Sequence, residues 1–189
     1  MKFDIFVDSS ANLTEKMIED CGIKVISYVC TCDGKEVICY KDGNTFAQSA
    51  KDFYAAMSAG ADVSTSLITQ ERFEAEWEPS LKEGRDVLMF TISSQVSGTN
   101  HQANLAAGAL MKKYPARKIY VADSVNSSLG EGLLAVKAAN LRDMGETLDT
   151  CAKWIENNKW KMNSYFTVSD LKYLRKGGRI SGVTALAGT

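Results

Sequence analysis

Residues 86–99 read DVLMFTISSQVSGT, and this stretch decides the fold. Its first half, 86–92, is a mostly apolar run of strand length, which is typical of a strand buried on both faces of a sheet. Residues 93–99 form a turn rich in hydroxyl groups, and the apolar periodicity of a helix begins after them. A strand, a turn and a helix in this order predict one unit of an α/β domain, with the turn beyond the carboxyl end of the strand.

The turn combines the hydroxyls of Ser93, Ser94, Ser97 and Thr99 with Gly98 and the start of a helix. Backbone N–H groups and the positive end of a helix dipole meet at such a place, so the pattern indicates an anion site without a fixed cation. Helix capping, with Ser97 at the N-cap and Thr99 in the first turn, explains one or two hydroxyls at about 1 kcal/mol each. It does not explain four, and we therefore predict that the turn binds a carboxylate or a phosphate.

Strand and helix patterns alternate on both sides of this unit. Further strands are predicted at 2–8, 23–31, 36–40, 118–122 and 165–168, with a hairpin turn at 33–34. Further helices are predicted to begin near Thr14, Thr45, Thr69, Ser128, Thr147 and Ser169, and Pro79 is expected to kink or restart the third of these. This alternation predicts an α/β fold with a mostly parallel sheet and helices on both faces.

Three other segments place polar side chains near the predicted anion site. Asp8-Ser9-Ser10 and Asp123-Ser124 directly follow predicted strands, and ligands of parallel sheets bind beyond the carboxyl ends of the strands. Ser64-Thr65-Ser66 is predicted to be a loop that leads to a helix cap at Thr69. A capped loop accounts for these last hydroxyls, but beside Ser97 they would also form a second wall of one anion site.

Composition excludes several classes of function. The chain has 189 residues and a net charge of -1, which gives no electrostatic basis for binding nucleic acid or an anionic membrane surface. No apolar run approaches the roughly 20 residues of a membrane span, and the first residues do not form the apolar core of a signal peptide. We therefore expect a cytoplasmic protein with reduced thiols.

The cysteines raise the question of a metal site. Cys30, Cys32 and Cys39 lie close together, but zinc requires a fourth ligand, and His101, the single histidine, is distant in sequence. Free cysteines pack as small apolar residues, so we expect them in buried strands. The prediction is that the protein holds no metal and no other cofactor.

His101 keeps an enzymatic alternative open. It follows Ser97 by four residues and would share a helix face with it, so a Ser–His nucleophile pair, with Asp123 as the orienting carboxylate, describes a hydrolase or a phosphocarrier. A solvated or capping histidine is the simpler interpretation. The cations Lys172, Arg175, Lys176 and Arg179 flank a Gly-Gly loop and fit either a solvated face or a docking patch for a phosphate or an acidic partner.

Taken together, these segments resemble the DegV family of bacterial fatty-acid-binding proteins. The resemblance rests on VDSS at 7–10, TS at 65–66, ISSQVSGT at 92–99, VADS at 121–124 and DLKYLRKGGRIS at 170–181. These segments occur in the order found in the family, and they cover nearly the whole chain.

The resemblance implies a two-domain α/β protein that buries one long-chain fatty acid between its domains. It implies that Thr65 and Ser97 hold the carboxylate, with neighbouring contacts from Ser66, Ser94, Gly98 and Thr99. Family members present the acid to a separate fatty acid kinase, which converts the carboxylate to an acyl-phosphate for phospholipid synthesis. The protein would then be a lipid carrier and not an enzyme, and Arg179 would contact the kinase or the new phosphate.

The chain departs from the family pattern in three places. Leu67-Ile68 replaces Gln-Pro, and Asn100-His101 replaces Tyr-Gln. The family also continues beyond residue 189, so we expect a truncated chain. The expected organisation is an N-terminal α/β domain at 1–160 and the beginning of an incomplete second α/β domain at 161–189.

Overall fold

The computed structural model describes residues 3–38, 47–168 and 170–181. The predictions for Cys39, Thr45, Ser169 and 182–189 lie outside these residues. The strands are β1 (Phe3–Asp8), β2 (Ile23–Ile26), β3 (Val29–Cys32), β4 (Lys35–Ile38), β5 (Val63–Ser66), β6 (Asp86–Thr91) and β7 (Ile119–Asp123). The helices are α1 (Glu15–Cys21), α2 (Ala47–Ser58), α3 (Gln70–Lys82), α4 (Thr99–Lys113), α5 (Leu129–Asp143), α6 (Leu148–Asn158) and α7 (Lys172–Lys176).

Four parallel strands form the main sheet in the order β2-β1-β6-β7. Strand β6 lies between β1 and β7, with Phe90 beside Val7 on one side and Ala122 on the other. The side chains of β1 alternate between two apolar cores, Ile5 toward α1, α5 and α6, and Phe6 toward α3 and α4. The predicted α/β fold, with helices on both faces of a parallel sheet, is confirmed.

A second sheet of three antiparallel strands has the order β4-β3-β5. The predicted hairpin joins β3 to β4, and its turn residues Asp33 and Gly34 both have positive φ, at 49° and 75°. The prediction that 64–66 is a loop is wrong. These residues end strand β5, where Thr65 lies opposite Cys30 of β3, because a neighbouring strand supplies the hydrogen-bonding partners that the local sequence does not reveal.

The predicted threonine caps are confirmed at three helix starts. Thr14, Thr69 and Thr147 are N-caps, and each hydroxyl accepts a backbone N–H three residues later. Helix α3 runs from Gln70 to Lys82 with Pro79 inside it, so the helix does not restart at Pro79, and the alternative of a kink there stays a prediction. Proline has no N–H to donate to the carbonyl four residues earlier, so this helix lacks the hydrogen bond from residue 79 to Ala75 O.

The predicted strand at 165–168 is also wrong, because these residues have no regular secondary structure. Their aromatic residues favour a strand, but no described strand lies beside them to complete a ladder, and Tyr165 and Phe166 are exposed. None of the described helices is long and apolar enough to cross a membrane.

Candidate functional site

Three polar segments meet at the carboxyl edge of the main sheet. They follow β1, β6 and β7, which are adjacent and parallel, so their ends lie side by side. The backbone N–H of Ile92 donates to Asp8 Oδ2 at 2.8 Å, and that of Ser94 donates to Asp123 Oδ1 at 3.2 Å. Carboxylates at the ends of the two neighbouring strands therefore hold the turn after β6 from both sides.

The turn between β6 and α4 differs in one detail from the prediction. The N-cap of α4 is Gly98 and not Ser97, and Gly98 makes no side-chain cap. Ser97 lies one residue earlier, where its Oγ accepts the N–H of Thr99 at 3.2 Å in a local hydroxyl turn. The same Oγ lies 2.9 Å from Thr99 Oγ1, and while Thr99 is fully buried, Ser97 keeps one side toward solvent.

Ser94 lies at the same turn but already has an anionic acceptor. Its hydroxyl donates to Asp123 Oδ2 at 2.5 Å. Asp123 also accepts the N–H of Val125 at 3.1 Å, so both of its carboxylate oxygens already accept hydrogen bonds from neighbouring residues. The exposed imidazole of His101 makes no hydrogen bond or ion pair with the described residues, and Asp123 does not orient it.

Thr65 and Ser66 approach this turn from the second sheet. Both are exposed on β5, and the chain then passes through Leu67 toward α3. Leu67 Cδ2 lies 3.3 Å from the point that a Cβ on Gly98 would occupy, so a side chain at this N-cap would be in tight contact with Leu67. The exit of β5 and the start of α4 are therefore packed together.

An open groove of about 420 Å³ begins at Thr65 and runs between β5 and α7. It is lined by Phe53, Met57, Asp62, Val63, Ser64, Thr65, Tyr173, Lys176, Gly177 and Arg179. The apolar side chains come mainly from α2 and β5, and the cations come from α7 and the residues that follow it. Helix α7 is attached here because Tyr173 OH donates to Met57 O at 3.3 Å and Lys176 pairs with Asp62.

The structure thus arranges the predicted site residues in two groups. One group, Thr65 and Arg179, shares the groove, while Ser94, Ser97, Gly98 and Thr99 share the turn at the edge of the main sheet. The packing of Leu67 against Gly98 connects the two groups.

A buried pair of carboxyl groups beneath the turn was not predicted from the sequence. Asp8 and Glu131 are both fully buried, and the Ser10 hydroxyl lies 2.5 Å from Asp8 Oδ1 and 2.8 Å from Glu131 Oε2. Burial raises the pKa of both carboxyls, and that of Glu131 lies well above its ordinary value. A sequence signal for Glu131 existed, since it shares the buried face of α5 with Leu134, Ala135 and Ala138.

The two acids differ in their hydrogen-bond partners. Asp8 accepts two backbone N–H groups, from Ile92 and Ser10, together with the hydroxyls of Ser10 and Tyr28. Glu131 Oε1, by contrast, is buried without a hydrogen-bond partner in the described structure. Because Asp8 has more hydrogen-bond donors, its ionised form is better supported than that of Glu131, where burial with few donors favours the protonated form.

The loop after β7 contains strained backbone next to this site. Val125 has a φ of 49°, and Ser128 has a φ of 53° with a ψ of -133°. Such conformations cost about 1 to 3 kcal/mol each for a residue with a side chain, and they cluster at functional sites. Asn126 holds the loop in place, since its amide donates to Ser124 O at 3.0 Å and its Oδ1 accepts from Ser164.

Comparisons with known proteins agree with this architecture. The family model described as "Uncharacterised protein, DegV family" matches residues 2–189. A DegV domain-containing protein of Clostridium perfringens is 36% identical over 188 residues, which is 100% of this chain and 64% of the relative. One from Streptococcus pyogenes is 31% identical over 189 residues, which is 100% of this chain and 65% of the relative. The chain therefore spans slightly less than two thirds of the length of these relatives.

Two solved structures have closely similar folds. A DegV family protein from Thermus thermophilus, whose structure is described in terms of fatty acid binding, superposes with a TM-score of 0.82 at 25% identity, over 100% of this chain and 64% of that protein. A protein from Thermotoga maritima, whose structure is described as revealing a fatty acid binding function, has a TM-score of 0.81 at 28% identity, over 95% of this chain and 64% of that protein.

Proposed function

Because this chain belongs to the DegV family, we propose that it binds a long-chain fatty acid and presents the carboxylate to a separate fatty acid kinase. One observation carries the proposal, namely a partly apolar groove that begins at a strand hydroxyl, Thr65, and is connected by packing to the Ser97 turn. The fatty acid binding described for the relatives from Thermus and Thermotoga supports it.

Thr65 and Ser97 are the proposed contacts of the carboxylate. Neutral hydroxyl donors hold an anion less tightly than a paired cation does, which suits a ligand that must be released again. Ser66, Gly98 and Thr99 shape the site around them. Ser94 is part of the same proposed site, and its hydrogen bond to Asp123 holds the turn in position.

The acyl chain is proposed to start along Phe53, Met57 and Val63. The groove of about 420 Å³ falls within the range of about 300 to 1,000 Å³ that is usual for small-molecule sites. Burial of the acyl chain supplies about 0.8 kcal/mol for each CH₂ group removed from water. A second domain that begins at 161 would cover the open side of the groove.

The kinase is proposed to contact Arg179, which is exposed at the rim of the groove. Its guanidinium would pair with the new phosphate, and Lys172 and Arg175 nearby extend the positive surface. The chain would then act in the cytoplasm as a carrier without a cofactor, and the kinase would supply the chemistry.

Native mass spectrometry followed by solvent extraction tests this proposal. We expect one fatty acid per chain, either co-purified or taken up from added oleate. The double variant Thr65→Ala/Ser97→Ala should lose the ligand. Thr147→Ala removes a hydroxyl from a helix cap far from the groove and should retain it. A bare wild-type chain that also fails to take up oleate would contradict the proposal for this chain.

A further inference from the structure

The backbone of the turn at 93–99 is held by the loop that follows β7. The N–H of Ser93, the first residue of the turn, donates to Asn126 O at 2.8 Å. The carbonyl of Ser93 in turn accepts the N–H groups of Val96 at 3.0 Å and Ser97 at 3.3 Å. Asn126 therefore fixes Ser93, and Ser93 fixes the backbone from which the Ser97 hydroxyl projects.

The side chain of Asn126 reaches in another direction, to the residues that follow α6. Its Nδ2 donates to Lys159 O at 3.3 Å, and its Oδ1 accepts the Ser164 hydroxyl at 2.8 Å. Residues 159–168, here called the linker, lead from α6 toward α7 and Arg179. One asparagine thus contacts both the turn of the proposed head-group site and the segment that leads to the proposed kinase contact.

The linker packs closely against the start of α5. A Cβ on Gly130, in the first turn of that helix, would lie 2.8 Å from Asn126 Oδ1 and would collide with Ser164 Oγ. Because the helix presents no side chain at this point, the linker can approach until the Ser164 hydroxyl meets the amide of Asn126. The contact between the linker and the loop is therefore part of how α5 begins.

The loop depends on hydrogen bonds to keep its shape. On either side of Asn126, Val125 has a φ of 49° and Ser128 has a φ of 53°. Positive φ is unfavourable for a residue with a side chain, above all for a β-branched one such as valine. Asn126 opposes this strain, because its Nδ2 donates to Ser124 O at 3.0 Å and its N–H donates to Ser124 Oγ at 3.2 Å. Without the linker, two of the contacts that orient the Asn126 side chain are lost.

We propose that Asn126 is a positioning residue of the head-group site and couples occupation of this site to docking of the linker. The inference rests on the proposed function and assigns a regulation to the same site. With the linker docked, Ser93 and Ser97 are held in the arrangement that receives a carboxylate. With the linker released, the Asn126 side chain loses Lys159 and Ser164, and the turn binds the carboxylate less tightly. Because coupling between two sites is reciprocal, the bound fatty acid strengthens linker docking by the same factor.

This coupling gives the loaded protein a distinct surface. The linker carries the exposed side chains of Trp160, Tyr165 and Phe166, and the chain continues from it to Arg179. In the loaded protein these residues are held in one arrangement, whereas in the empty protein the linker is released more often. A kinase that contacts Arg179 can therefore select the loaded carrier without touching the fatty acid.

Oleate titrations of matched variants test the positioning role. Ser164→Ala removes one hydrogen bond at an exposed position, so it should weaken oleate binding about threefold to tenfold and leave the urea midpoint nearly unchanged. Asn126→Ala should weaken binding at least as much. Ser164→Thr keeps a hydroxyl and should restore the affinity of the wild type. Unchanged affinity in Ser164→Ala overturns the inference and leaves the proposed function intact, also where Asn126→Ala fails to fold.

Ser127→Ala is the matched control for these titrations. Ser127 is an exposed serine of the same loop, and its side chain makes no hydrogen bond with the described residues. The variant should bind oleate as the wild type does. A loss of affinity as large as that in Ser164→Ala would show that the loop responds to any substitution, which overturns the specific role of the linker contact.

Proteolysis measures the same coupling from the linker. Tyr165 and Phe166 are 96% and 83% exposed, and chymotrypsin cleaves after aromatic residues. Saturating oleate should slow cleavage at these two residues about fivefold or more in the wild type, and much less in Ser164→Ala. A purely structural role of Ser164 would change cleavage equally with and without oleate. Equal slowing by oleate in the wild type and in Ser164→Ala therefore overturns the inference.

Hydrogen exchange decides the inference without a ligand. A wild-type chain that fails to bind oleate counts against the proposed function, but the link from the linker to the turn can still be measured. The N–H groups of Ser93 and Ser97 are bonded to Asn126 O and Ser93 O. Both should exchange faster in unliganded Ser164→Ala than in the unliganded wild type, and equal exchange overturns the inference.

Discussion

The carboxylate of Asp8 accepts the backbone N–H of Ile92 at 2.8 Å. Asp8 is the last residue of β1, and Ile92 is the first residue after β6, so the end of one strand fixes the start of the turn that follows its neighbour. An aspartate at this position also engages Ser10 and Tyr28. The residue that ends β1 thus links the architecture of the sheet to the placement of the Ser97 turn.

The buried Glu131 predicts an unusual dependence of stability on pH. The raised pKa means that folded Glu131 keeps its proton where the unfolded side chain, near 4.5, has lost it. The folded state then binds more protons, so the free energy of unfolding should fall as the pH rises from about 4.5 toward the folded pKa, by up to about 1.4 kcal/mol per unit. Urea unfolding of the wild type at about pH 5 and pH 8 measures this loss.

Glu131→Gln should flatten this profile, because its amide can donate to Ser10 as the protonated acid does but does not titrate. Glu19→Gln, an exposed position on α1, is the control and should follow the wild type. Equal slopes for the wild type and Glu131→Gln would show that Glu131 is ionised in the folded protein.

Two helical glycines should respond oppositely to alanine. A Cβ on Gly132 of α5 would lie 2.8 Å from both Ala11 O and Leu13 Cδ2, whereas a Cβ on Gly108 of α4 meets no atom within 4 Å. Gly132→Ala should therefore lower the free energy of unfolding by about 1 to 3 kcal/mol through overpacking. Gly108→Ala should raise it by about 0.5 to 1 kcal/mol through helix propensity. Chemical denaturation of both variants checks the pair, and a stable Gly132→Ala would contradict the close approach of α5 to residues 11–13, which follow β1.

The sequence predicted those features that depend on local rules. Thr14, Thr69 and Thr147 were recognised as caps because a cap needs only a hydroxyl and the N–H three residues later. The segment 64–66 was misassigned because its strand character comes from pairing with β3, about thirty residues earlier in sequence. The opposite error was made at 165–168. These residues were predicted to form a strand, but no strand lies beside them among the described residues.

In the candidate site, too, the sequence predicted the local features and missed those that depend on the tertiary fold. The turn at 93–99 was visible because its hydroxyls are contiguous in sequence, although the N-cap proved to be Gly98. The partnership of Asp8 with Glu131 was not visible, because 121 positions separate Ser10 from Glu131 and only the packing of α5 against β1 brings them together.

A substitution of His101 distinguishes a carrier from an enzyme. Its imidazole is exposed and has no hydrogen-bond partner among the described residues, and Asp123, the predicted orienting acid, accepts the hydroxyl of Ser94 instead. His101→Asn should therefore change oleate affinity by less than about twofold, well below the effect of about tenfold per 1.4 kcal/mol that a lost contact would produce. Calorimetry with oleate measures the affinity, and a chromogenic ester tests for hydrolysis. Ester hydrolysis by the wild type that disappears in His101→Asn would favour the enzymatic alternative.

Asp123 should weaken the binding of a carboxylate while it holds the turn. Its Oδ1 accepts the N–H groups of Ser94 and Val125, and its Oδ2 accepts the Ser94 hydroxyl. Asp123→Asn can keep the two contacts of Oδ1 and removes the negative charge, so oleate should bind about three- to tenfold more tightly, as expected for one partly exposed like charge. The gain in affinity should shrink at high salt, because exposed charges are screened.

Asp20→Asn controls for net charge, because it removes an exposed carboxylate on α1, and it should leave the affinity unchanged. Weaker binding by a folded Asp123→Asn variant would mean that the charge of Asp123 is needed to fix the turn, and that its repulsion of the ligand is the smaller effect.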